Sequence, residues 1–90
     1  MWRDKELEGW RRGIDRADTC ILKFLGRRFW YVRKIKALKK RNGKLVVVPE
    51  RERALMADRL KKGINRGLDP LVVLEIWGVI IRKSREVQNE

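Results

Sequence analysis

The chain has 90 residues, enough for one domain (residues 1–90), with 43% hydrophobic and 40% charged residues and a net charge of +12. It has no histidine and a single cysteine, Cys20, which excludes an intrachain disulfide, His-based triads and the usual zinc ligand sets, so no metal site is expected. The longest apolar stretch, around Leu71–Ile81, is broken by Glu75 and falls short of a bilayer span; Asp4, Lys5, Glu6 and Glu8 close behind Met1 speak against a signal peptide, so the expected location is cytoplasmic.

The first predicted element is one helix from about Asp4 to Arg41, since no proline occurs before Pro49. Its apolar residues recur in alternating steps of four and three: Trp10, Ile14, Ala17, Ile21, Phe24, then Tyr31, Ile35 and Leu38. Arg28 fills the one vacant place in that seam, and a flanking row reads Arg11, Asp18, Leu25, Val32, Lys39. Asp4 is the expected N-cap, with Glu6 and Glu8 near the positive end of the helix dipole. Gly9, Gly13 and Gly26 each cost roughly 1 kcal/mol relative to Ala. A helix of this length spans roughly 55 Å, whereas a compact domain of this size is only about 30 Å across. The helix therefore overhangs what its own chain can build, and its seam predicts an obligate dimer of long helices packed on one another.

Asn42-Gly43 is an αL-competent stop for that helix. Lys44–Val48 is β-branched but has no strand to pair with, so it reads as an extended connector. Pro49 opens a second helix, with Glu50 and Glu52 near its positive end, an inner face of Leu55, Met56, Leu60 and Ile64, and Gly67 at its close. Asp69-Pro70 is a cap and first-turn proline that starts a third helix. Its stripe runs Leu74, Trp77, Ile80, Ile81 and continues at the same spacing into Ser84 and Gln88. The fold class is all-α: three helices per chain, the first very long, in an intertwined helical homodimer.

Polar residues lie on or beside these apolar faces: Arg28 and Lys39 on the first helix, Glu52 on the second, Ser84 and Gln88 on the third, with Arg11 flanking the seam near its distal end. Any one of them alone is more simply a snorkelling side chain or a helix-end residue. As a group they are different, because buried cations require carboxylate partners or an anionic ligand, and Glu52 supplies too little negative charge. A small dianion fits that excess. Arg28 and Lys39 lie about 16 Å apart along one helix face, leaving room for a small metabolite; Arg11 lies about 25 Å beyond Arg28 and reaches the same ligand only from a second, antiparallel copy.

These residues resemble the all-helical (AroQ-type) chorismate mutase family over nearly the whole chain. The resemblance rests on Trp10-Arg11-Arg12-Gly13-Ile14-Asp15 with Asp18, Leu25-Gly26-Arg27-Arg28, Lys36–Lys40, Pro49-Glu50-Arg51-Glu52-Arg53, Gly67-Leu68-Asp69-Pro70, and Ile80-Ile81 through Ser84 to Gln88. Single motifs among these are weak; their order and spacing are specific. The resemblance implies the intertwined dimer, with two sites that each borrow an arginine from the other subunit. It also implies rearrangement of chorismate to prephenate in phenylalanine and tyrosine biosynthesis. That pericyclic reaction requires no nucleophile, metal or cofactor.

By the same resemblance, Arg28 and Arg11 of the second copy hold the two carboxylates of chorismate in the reactive shape. Lys39 and Gln88 donate to the ether oxygen as it gains negative charge. Glu52 binds the ring hydroxyl, Arg51 and Ser84 support the carboxylate network, and Ile35 and Ile81 form the apolar wall. Val48 departs from the pattern, which often has Asp there. The second helix thereby loses a good N-cap, at a cost on the order of 1 kcal/mol, and any substrate contact from this position falls to the backbone N–H.

Two other readings compete. Isochorismate-pyruvate lyase shares the fold and the cations, and Leu25-Gly26-Arg27-Arg28 with Tyr31-Val32 and an apolar residue 48 is reminiscent of it; Glu52 and Ser84 favour the mutase. A basic helical nucleic-acid-binding module is the alternative of another class, resting on Arg33-Lys34, Lys36, Lys39-Lys40-Arg41 and Lys44 near Trp30 and Tyr31. A solvated helix face explains that patch more simply, so nucleic acid is not the expected partner, nor is a membrane.

Overall fold

The computed structural model describes residues 4–43 and 48–89, and these form three α-helices with no strand among them. Helix α1 spans Asp4–Arg41, α2 spans Pro49–Asn65 and α3 spans Pro70–Gln88. The expected connector at residues 44–47 lies outside the described residues; Val48, at its end, is extended with φ −123° and ψ 105°. No described helix is long and apolar enough to cross a membrane.

Local chemistry accounts for the helix ends. Asp4, expected as the cap of α1, is its first helical residue. At the other end the N–H of Asn42 bonds the Leu38 carbonyl at 3.1 Å and that of Gly43 bonds Lys40 at 3.2 Å, closing α1 where Lys39, Lys40 and Arg41 meet the negative end of the dipole. Pro49 opens α2 behind Val48, whose side chain makes no capping bond. At the far end of α2, Gly67 takes φ +84°, its N–H bonds Ile64 at 3.0 Å, and the N–H of Leu68 reaches back to Gly63 at 3.0 Å. This Schellman arrangement requires the left-handed backbone that glycine adopts without penalty. Asp69 then caps α3, accepting from the Leu71 N–H at 2.7 Å ahead of Pro70.

The chain forms two compact units whose boundary falls inside α1, between Tyr31 and Val32. The first carries the N-terminal part of α1, and its seam is open to solvent: Trp10 is 69% exposed, and Ile14, Ile21 and Phe24 are each more than half exposed. Phe24 lies under two cations, with the Arg27 guanidinium 5.0 Å and the Lys23 amine 5.9 Å from its ring centroid. Trp30 and Tyr31 meet edge to face at 4.9 Å.

The second unit comprises the last turns of α1 with α2 and α3, and its core is Val32, Leu55, Val73, Ile80 and Ile81. The most deeply buried residue is Val73, 1% exposed, rather than its neighbour Leu74, which was read as part of the inner stripe and is exposed. Ile64, read as the end of the α2 inner face, is also exposed. The reason lies in Gly63. A Cβ at that position would sit 2.4 Å from Val73 Cγ2, so the missing side chain lets α3 approach α2 along the Val73 edge and turns Leu74 outward. Trp77 keeps its indole Nε1 buried with no hydrogen-bond partner among the described residues.

Candidate active site

Eight of the ten candidate residues belong to the second unit: Ile35, Lys39, Val48, Arg51, Glu52, Ile81, Ser84 and Gln88. Glu52 stands on the first turn of α2, where Pro49 and the Val48 carbonyl start the helix; the Glu52 N–H bonds that carbonyl at 3.2 Å. Its neighbour Arg51 is exposed, and Val48 is half-buried. On α3, Ile81 and Ser84 are buried and Gln88 is half-buried on the last turn. The Ser84 hydroxyl donates to the Ile80 carbonyl at 2.7 Å, which fixes the hydroxyl's direction. On the α1 segment, Lys39 is half-buried and Ile35 is exposed.

Glu52 and Ile81 line one cleft of about 330 Å³, together with Pro49, Arg53, Met56, Gly78 and Arg85. Its floor is apolar and its polar groups are one carboxylate and two guanidiniums. Within it Arg85 grips Glu52 with two bonds, Nη2 to Oε1 at 2.6 Å and Nε to Oε2 at 3.2 Å. Such a fork fixes the plane of a carboxylate as well as its distance. The hydrogen bonds that Arg85 donates to Glu52, then the negative charge of that carboxylate, push the guanidinium above the usual arginine value. Elsewhere on α2, Asp58 is paired with Arg59 and, at 3.1 Å, with Lys62. The hydrogen bond from Lys62 leads the contributions that hold the Asp58 carboxyl below its usual range. That cluster lies on the same helix as Glu52, but none of its three residues lines the cleft.

Arg11 and Arg28 belong to the first unit. Arg11 is exposed, and Arg28 is half-buried with its guanidinium carbon 6.0 Å from the Phe29 ring centroid. Two residues not counted among the candidate site residues take part in the second unit. Arg85 holds Glu52, and the Lys36 amine donates to the Val87 carbonyl at 2.9 Å, next to Gln88. One signal pointed toward Arg85: it lies four residues after Ile81, one turn along the same α3 edge.

The cleft offers a carboxylate held in place by a guanidinium beside an apolar wall, while Lys39, Val48, Arg51, Ser84, Gln88 and Ile35 are in the same unit but not among the residues that line it. It suits binding and electrostatic stabilisation of a small polar molecule. Comparison with known proteins points the same way. A family model described as "Chorismate mutase type II" matches residues 10–89. The chain is 31% identical over 85 residues to the T-protein of Enterobacter agglomerans, an alignment covering 94% of this chain and 23% of that protein. The chain thus spans less than a quarter of that curated relative's length. No solved structure gives a significant match.

Proposed function

We propose that this chain, which belongs to the type II chorismate mutase family, is an isomerase that rearranges chorismate to prephenate by binding and electrostatics alone. The family match over residues 10–89 carries the reading, since it spans every candidate residue named above. The whole of residues 1–90 is read as one functional domain.

In this reading the reaction breaks a carbon–oxygen bond while a carbon–carbon bond forms, with electrons moving in one ring. The protein's task is to hold the substrate in the folded shape and to stabilise charge as it develops. Arg28, with Arg11 from a second copy of the chain, takes the two carboxylates. Lys39 and Gln88 place donors at the ether oxygen, where negative charge accumulates. Glu52 accepts from the ring hydroxyl, Arg51 and Ser84 support the carboxylate network, and Ile81 with Ile35 forms the wall against the ring. At position 48 the backbone N–H takes the place of a side chain. The joint placement of Glu52 and Ile81 in one cleft supports their assigned roles.

The homodimer is part of this proposal. The exposed Trp10, Ile14, Ile21 and Phe24 form an apolar face that a second copy would cover, and the same pairing would supply Arg11. A mass measurement in solution tests it: a monomer at micromolar concentration would leave the site without that arginine.

The decisive assay gives purified protein chorismate and, separately, isochorismate. Prephenate from chorismate is expected. Pyruvate from isochorismate with no prephenate from chorismate would replace the reading with isochorismate-pyruvate lyase. Arg28→Ala is expected to abolish prephenate formation with the helical circular-dichroism signal intact. If instead Arg28→Ala leaves salt-sensitive nucleic-acid binding as the protein's main measurable property, the mutase reading fails.

A further inference from the structure

We propose that Arg85 is a positioning residue for the reaction, acting through Glu52. The inference rests on the mutase reading above and adds a residue to it. Arg85 and Glu52 belong to different helices, α3 and α2, and stand 33 positions apart in sequence. Their two bonds, 2.6 and 3.2 Å, use one nitrogen for each carboxylate oxygen, and both side chains line the cleft that Ile81 walls.

The pair is poorly placed to serve stability. Arg85 is 45% and Glu52 23% exposed, and an ion pair so open to water contributes little to folding. Its geometric effect is larger. Glu52 sits on the first turn of a helix whose N-cap makes no side-chain bond, and its side chain has three rotatable bonds. Without a partner the carboxylate would sample many orientations. The two-armed grip leaves it one plane. Each carboxylate oxygen can accept two hydrogen bonds and gives one to Arg85, so each keeps one for a substrate hydroxyl. Arg85 thus orients the acceptor without consuming it.

A double-mutant cycle in the steady-state kinetics of the full chain tests this. Arg85→Met is expected to lower kcat/KM for chorismate by about 10-fold, the order of loss that follows slight misplacement of a reacting pair. In the Glu52→Gln background the same change is expected to cost nothing further, since there is no carboxylate left to orient. Arg85→Lys, which keeps the charge but makes a single-armed contact, should fall between Arg85→Met and the parent, at equal helical content. That ranking serves if Glu52→Gln is too slow to measure; if Arg85→Met fails to fold, Arg85→Lys takes its place in the cycle, with a loss expected in the parent background and none in Glu52→Gln.

A loss of the same size in both backgrounds would overturn the proposal, because Arg85 would then act independently of Glu52. Equal activity of Arg85→Lys and Arg85→Met would do so too. Unchanged or raised activity in Arg85→Met would also overturn it, the last meaning that Arg85 withholds the carboxylate. If the parent chain makes no prephenate, the mutase reading falls and this inference with it; if the parent is active and the losses are additive, only this inference falls.

Discussion

The amine of Lys36 donates to the backbone carbonyl of Val87 at 2.9 Å, joining residues 51 positions apart. That carbonyl is among the last four of α3, where the Asn89 cap N–H is shared among the carbonyls of Arg85, Glu86 and Val87. The contact is part-buried, and it holds the turn that carries Gln88. Lys36→Met removes the donor while keeping most of the stem. The expected loss is about 1 kcal/mol, the net worth of one hydrogen bond, seen as faster amide exchange in the last turn of α3. Because fraying there moves Gln88, kcat for prephenate formation should drop by roughly fivefold. Parent-like exchange in Lys36→Met would show that α3 does not depend on this contact.

Gly63→Ala tests the close approach of α2 and α3. Helix propensity alone predicts a gain of roughly 1 kcal/mol. Packing predicts the reverse, since the new methyl would lie 2.4 Å from Cγ2 of Val73, a β-branched side chain with no room to turn. Overpacking of this kind costs about 1–3 kcal/mol, so the denaturation midpoint should fall. A rise would mean that α3 shifts aside at little cost.

Val48→Asp should do the opposite. Val48 already has the extended backbone of an N-cap but makes no side-chain bond to the N–H groups at the start of α2. An aspartate there accepts one of them and faces the positive end of the dipole, for a gain of about 1 kcal/mol. The urea midpoint should rise with the slope of the transition unchanged. No change would show that backbone or solvent already satisfies those groups.

Gln88→Glu probes the proposed donor to the ether oxygen. A carboxyl donates a hydrogen bond only when protonated, so activity should be weak at neutral pH and increase as pH falls through its pKa. The parent, whose amide does not titrate, should lack that acid-side rise. An identical pH profile for both proteins would remove Gln88 from the reaction.

The helix boundaries were legible because each is set by residues adjacent in sequence. Asn42-Gly43, Pro49, Gly67 and Asp69-Pro70 act on the backbone within a few positions, and the structure ends and starts its helices at those places. The missing cap at Val48 was legible for the same reason. For the candidate site, the motifs of the chain placed Glu52 and Ile81, which the structure puts in one cleft.

What the sequence by itself determined is therefore the local material: three helices, their caps, and the polar residues set into apolar stripes. Tertiary structure alone decided which face of each helix meets which. Val73 rather than Leu74 is the deepest residue because Gly63 lies opposite it, a pairing that periodicity within one helix cannot express. The partners of Arg85 and Lys36 were hidden for a related reason. With 24 basic residues spread along three helices, pattern cannot say which long cationic side chain meets an acceptor. That depends on how each helix is rotated about its own axis when α2 and α3 pack, and one residue of rotation, about 100°, would have given Glu52 a different neighbour.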